Sequence, residues 1–87
     1  MGKVDAFVVA GLQLWFNSED HGPPHFHAGR PGEWEMRVFF LTSVAGRLEY
    51  ELKWGTVPLR GFLRDLEEGV LQHRHTLLEE WNRKVCQ

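Results

Sequence analysis

The sequence predicts an α+β fold: an antiparallel meander of about four strands with one or two C-terminal helices packed on one face. Two segments carry the sheet. In EWEMRVFF, Trp34, Met36 and Val38 alternate with Glu33, Glu35 and Arg37, and in RLEYELKW, Leu48, Tyr50, Leu52 and Trp54 alternate with Arg47, Glu49, Glu51 and Lys53. That period of two belongs to strands with one buried and one solvated face. After Trp54 the apolar period lengthens to that of a helix, with Leu59, Phe62, Leu63, Leu66, Val70 and Leu71 forming a stripe. The 87 residues, 43% of them hydrophobic, suit one domain over residues 1–87. Strands are expected within about 4–54 and the helical region at about 58–85.

Element by element, the even positions from Val4 to Phe16 are all apolar, which reads as one long first strand with Gly11 at a bulge. A short strand follows in DHGPPHFHAG, Asp20 to Gly29, where Pro23 and Pro24 lack backbone donors and suit a rigid extended entry. There His25 and His27 alternate with Phe26 and Ala28. A three-residue loop of Arg30, Pro31 and Gly32 pairs Ala28 with Trp34, Phe26 with Met36, His27 with Glu35 and His25 with Arg37. Apolar then meets apolar, and both imidazoles lie on a solvent-accessible face away from the helices. In TSVAG, Gly46 supplies the positive φ of the next turn. Pro58 fits a first helical turn. Thr76 with Glu79 resembles a capping box, so a break or kink is expected near His73 to Thr76. Trp34, Trp54 and Trp81 are expected in the core.

Ten basic against twelve acidic residues give a net charge of −2 and no general pull toward phosphate. With no signal-peptide pattern at the N-terminus and no apolar run near the roughly 18 residues of a membrane span, the expectation is a soluble cytoplasmic protein without a membrane partner. A single cysteine, Cys86, excludes an internal disulfide and a cysteine-based metal site.

Three of the five histidines fall within DHGPPHFHAG. Imidazoles at i and i+2 of a strand have Cβ atoms roughly 6 to 7 Å apart. Both can reach one ion when a third ligand joins, which makes His25, His27, His21 and Glu35, with Asp20, candidate ligands for zinc, nickel or iron. The same residues suit acid–base chemistry: His25, His27, His21 and Asp20 near an arginine could serve metal-free RNA cleavage. A third reading is a structural turn in which Phe26 fills the core and the imidazoles are exposed. His73 and His75 suit the C-terminal end of a helix, where imidazolium meets free carbonyls.

The stretches FNSEDHGPPHFHAG and HRHTLLEEW resemble a bacterial family known as domain of unknown function 4160. The first matches its motif at Asp20, His21, Pro23, Pro24, His25, Phe26 and His27, the second at His73, Arg74, Leu77, Leu78, Glu79 and Trp81. Where family members commonly read Asn-Asp-His, Ser18 and Glu19 here stand between Asn17 and Asp20. The resemblance implies a small cytoplasmic protein with a toxin-like role in a type II toxin–antitoxin pair, an antitoxin-like protein partner and a working histidine cluster; RNA as a target follows only from the acid–base reading of His25 and His27. The alternative is a non-enzymatic module in which the His-Phe-His strand binds metal or docks a protein, and a homodimer is a further option.

Overall fold

The computed structural model describes residues 2–85, so Cys86 lies outside the described residues. Five strands, β1 (Gly2–Lys3), β2 (Gln13–Phe16), β3 (Phe26–Arg30), β4 (Trp34–Val38) and β5 (Tyr50–Gly55), precede one helix, α1 (Arg60–Lys84). They form one antiparallel sheet in chain order. The α+β meander with helical cover is therefore present, with five strands in place of about four.

The additional strand comes from the N-terminal segment. The expected strand from Val4 to Phe16 is broken: Leu12 N–H donates to the Val9 carbonyl and Gly11 takes φ 88°, so the chain turns back. Val4 N–H then donates to the Leu14 carbonyl, and Gly2 faces Phe16. Apolar alternation states which side chains want burial, but a turn that supplies the ladder partner from the same segment satisfies that demand as well as one long strand.

The β3–β4 hairpin keeps the expected faces but not the expected pairs. Phe26 stands opposite Val38, His27 opposite Arg37 and Ala28 opposite Met36, two residues from the register read in the sequence. The loop is Pro31 to Glu33, closed by Glu33 N–H to the Arg30 carbonyl, with Gly32 at φ 79°. Because the shift is even, the side chains within β3 and β4 stay on their expected faces, whereas His25, just before β3 and expected away from the helices, packs on Trp81 of α1. Phe26, Ala28, Trp34, Met36 and Val38 are buried with Leu66, Val70, Leu77 and Trp81 of the helix. Gly46 takes the positive φ expected of it.

Trp54 is not core: it is 48% exposed. A bulge sets Met36 opposite Leu52 but Glu35 opposite Trp54. The extra residue, Lys53, moves the indole onto the face of Glu35.

The helix is kinked where a break was expected, with His73 at φ −122°, ψ 20°. Thr76 lies inside the helix, not at a start, and the His73 ring stacks on Phe7 at 5.7 Å. Leu59 and Leu71 of the expected stripe are exposed. At the other end of the molecule, Glu80 is 2% exposed and accepts the backbone N–H groups of Asp5 and Ala6, each at 2.8 Å. Lys84 Nζ donates to Glu80 at 2.9 Å and to Asp5 at 2.9 Å, tying the N-terminal segment to the last turns of α1. Among the described residues, no helix is long and apolar enough to cross a membrane.

Candidate metal centre

The site grows out of a turn and the strand that follows it. Phe16 ends β2 fully buried, and Asp20 N–H donates to the Asn17 carbonyl at 3.1 Å, so residues 17–20 reverse the chain and carry the Asp20 carboxylate over the sheet. The prolines lead back to His25, just before β3, and to His27 within it.

Neither imidazole is open to solvent, contrary to the sequence expectation: His25 is 5% and His27 1% exposed. Three rings from other elements account for this. Trp15 of β2 stacks on His27 at 5.5 Å with planes 15° apart, while Phe39 and Trp81 lie 5.6 and 5.4 Å from His25. Strand alternation places a side chain on a face, yet burial depends on what crosses that face from elsewhere in the chain.

Asp20 Oδ2 is 2.7 Å from His27 Nε2 and 3.3 Å from His25 Nε2. Single ligand atoms of Asp20, His25 and His27 all lie within 4.8 Å of one another. His21 is exposed and stands outside this group, and Glu35 reaches only the far nitrogen of His27, its Oε2 3.5 Å from Nδ1. Of the residues expected to form a site, the fold therefore brings Asp20, His25 and His27 together, puts Glu35 behind them and leaves His21 apart. His75 is exposed beside Glu79, and His73 packs on Phe7, both away from the cluster.

Hydrogen bonding restricts what the imidazoles can do. His25 Nδ1 is 2.9 Å from the Pro23 carbonyl, which can only accept, so the proton sits on Nδ1. Its Nε2 is buried without a hydrogen-bond partner, because with the proton on Nδ1 it carries only a lone pair and the Asp20 carboxylate 3.3 Å away is itself an acceptor. Two acceptors thus face each other, an arrangement that a cation between them would relieve. His27 Nδ1 is likewise buried and unpartnered, with Glu35 beyond hydrogen-bond geometry. An orphaned buried nitrogen costs about 1–3 kcal/mol, so two in one cluster ask for a reason.

A cation held between Asp20, His25 and His27 would supply one. Two imidazole nitrogens and a carboxylate oxygen suit zinc, iron or nickel. Were His27 Nε2 to hold such an ion, its proton would sit on Nδ1 and face Glu35, the carboxylate support usual behind a ligating histidine. Burial works to raise the Glu35 carboxyl, but the Lys53 ammonium at 2.9 Å, the Trp54 indole N–H and the charge of His27 hold it below the usual carboxylate range. It stays ionised and ready to accept that proton. Trp15, Lys53 and Asn17, whose Nδ2 is 3.3 Å from His27 Nε2, were not assigned to the site from sequence. Of these, only Asn17 carried a signal, its closeness to Asp20 in the chain.

Fold and site together define a small α+β domain with a buried His/His/Asp cluster at the junction of a loop and a sheet. Residues 11–82 match the model of a family described as Domain of unknown function (DUF4160), and the chain belongs to that family. No curated protein and no solved structure matches it. Among the described residues, no other group of three His, Cys, Asp or Glu side chains converges in this way.

Proposed function

We propose that the protein is a metal-binding module in which Asp20, His25 and His27 hold one divalent transition metal, zinc, iron or nickel, with Glu35 and Lys53 as the outer support. The observation that carries this reading is the pair of buried nitrogens without partners, one of which, His25 Nε2, belongs to the three-residue cluster. Imidazole, carboxylate and an outer carboxylate form a donor set suited to these ions. Burial of both rings weighs against the RNA-directed chemistry that an open face would allow, since a ribose-phosphate chain has to touch the acid and the base. A toxin-like role would then work through a partner or through the surface above the metal.

The test is metal analysis of tag-free protein dialysed against a weak chelator and reloaded with zinc. One ion per chain, lost in His25→Ala/His27→Ala while the variant keeps its circular dichroism, is the expected result. Wild-type protein that retains no ion and whose unfolding midpoint ignores added zinc, iron and nickel overturns the proposal.

A further inference from the structure

Resting on that metal reading, we infer that Asn17 supplies the fourth ligand through its amide oxygen and closes the site. The ion then orders a loop and has no position left for a substrate.

The Asn17 amide ends 3.3 Å from His27 Nε2, the same separation as between Asp20 Oδ2 and His25 Nε2. Ligand atoms at the corners of a tetrahedron with metal bonds of about 2.0–2.1 Å lie about 3.3–3.4 Å apart, so the amide stands at ligand spacing from His27 Nε2, while the 2.7 Å between His27 and Asp20 would have to open on binding. Its Nδ2, the atom now nearest the ring, has nothing to give a proton to there. His27 Nε2 is taken by Asp20 at 2.7 Å, and once that nitrogen binds a metal its lone pair is used. A half-turn of the amide exchanges Nδ2 for Oδ1 in the same volume, since the two ends are nearly identical in shape. The carbonyl oxygen then joins two imidazoles and a carboxylate.

Backbone placement favours the same role. Asn17 follows directly on the buried Phe16, and its own carbonyl receives Asp20 N–H at 3.1 Å. Both oxygen ligands thus stand at the two ends of one turn, while both nitrogen ligands stand at the start of β3. An ion bridging the two sets fastens the turn to the strand. Four protein ligands is the form of structural sites, whereas catalytic sites keep a position open. Trp15, Phe39 and Trp81 cover the two imidazoles, and Asn17 and Asp20 form the partly exposed rim. What the metal controls is the exposed stretch Ser18, Glu19, His21, Gly22 and Pro23, which the closed turn presents to solvent.

Cobalt(II) is the probe, because four-coordinate cobalt absorbs visible light intensely and higher-coordinate cobalt weakly. Cobalt-loaded wild type is expected to show the intense band, unmoved by azide. Asn17→Ala, with water in the vacated corner, should show a shifted band that responds to azide, which displaces that water, while Asn17→Asp, which keeps an oxygen, should retain the wild-type band and its indifference to azide. A wild-type band that azide shifts, a weak wild-type spectrum, or an Asn17→Ala spectrum identical to wild type each overturns the fourth-ligand assignment. The wild-type azide response decides on its own should Asn17→Ala not fold. Failure of every variant to bind cobalt, zinc, iron or nickel instead removes the metal reading beneath it.

Discussion

Two buried polar groups lie on either side of Trp81, and they are built differently. Glu80 has its carboxylate filled by the chain itself: Asp5 N–H, Ala6 N–H and the Lys84 ammonium take its oxygens. His25 and His27 are as deeply placed, with Asp20 at the partly exposed rim, yet two imidazole nitrogens there have no partner. Buried polar groups are normally satisfied by the protein or by ordered water. The complete node is architecture, and on the metal-binding proposal the incomplete one is the receptor. Removing a residue should weaken the first under all conditions, whereas the second should respond to what is added.

Added metal gives the largest contrast. Zinc at about a thousand times its dissociation constant should stabilise the wild type by about 4 kcal/mol. The same zinc should do nothing for His25→Ala/His27→Ala and should act fully on Glu80→Ala, as read by denaturant midpoints. Equal responses in all three proteins would erase the distinction between the two groups. Next, Glu80→Ala alone should cost about 3 kcal/mol with or without zinc, because it strips two amides and an ammonium of their acceptor. A loss that zinc restores would mean the node and the cluster are one unit.

Smaller effects sharpen the comparison. Glu35→Gln should weaken metal binding about 10- to 100-fold while leaving metal-free stability nearly unchanged, which calorimetric titration would separate. The weakest effect is that of pH on Glu35 and Lys84. The Glu35 carboxyl is held below its ordinary value of 4.5, so its contribution is present above that value and is lost as pH falls through the folded pKa. Lys84 is shifted oppositely. Although burial works to lower it, Glu80 and Asp5 raise it above 10.5, so its contribution is present below that value and fades as pH rises through the folded pKa. Each should amount to less than about 1 kcal/mol, given partial exposure. A metal-free midpoint that falls with acid in wild type but not in Glu35→Gln would assign the acid limb.

The sequence shows some of this directly. Alternation in EWEMRV specified a face for each side chain, and even a hairpin slipped by two residues preserved those faces. The same rule failed at Trp54, because the single extra residue Lys53 reverses parity and no pattern in YELKWG announces it. It failed again at Val4 to Phe16, where one apolar series serves both limbs of a turn. For the site, the motif holds Asp20, His25 and His27 within eight residues, short enough for local chain geometry to bring them together. Their burial was hidden, because Trp15, Phe39 and Trp81 arrive from three other parts of the chain. Glu80 was hidden too, since its partners are backbone amides 74 and 75 residues away.

The bulge at Lys53 also bears on how the protein behaves in a crowd. β5 is the last strand of its sheet and leaves one side of its backbone unpaired. The bond from Phe39 N–H to the Glu49 carbonyl fixes the alternation, so Glu51 turns its backbone groups to β4, and Tyr50 and Leu52 turn theirs outward. Beyond the bulge, Thr56 N–H bonds to the Glu33 carbonyl, and Trp54 is the residue turned inward. A stray strand laid along this edge would keep step from Tyr50 to Leu52 and then find the next donor and acceptor facing away, with a lysine at the point of mismatch. Such an edge offers too short a run to seed stacked sheets, so the residue that secures Glu35 also discourages aggregation.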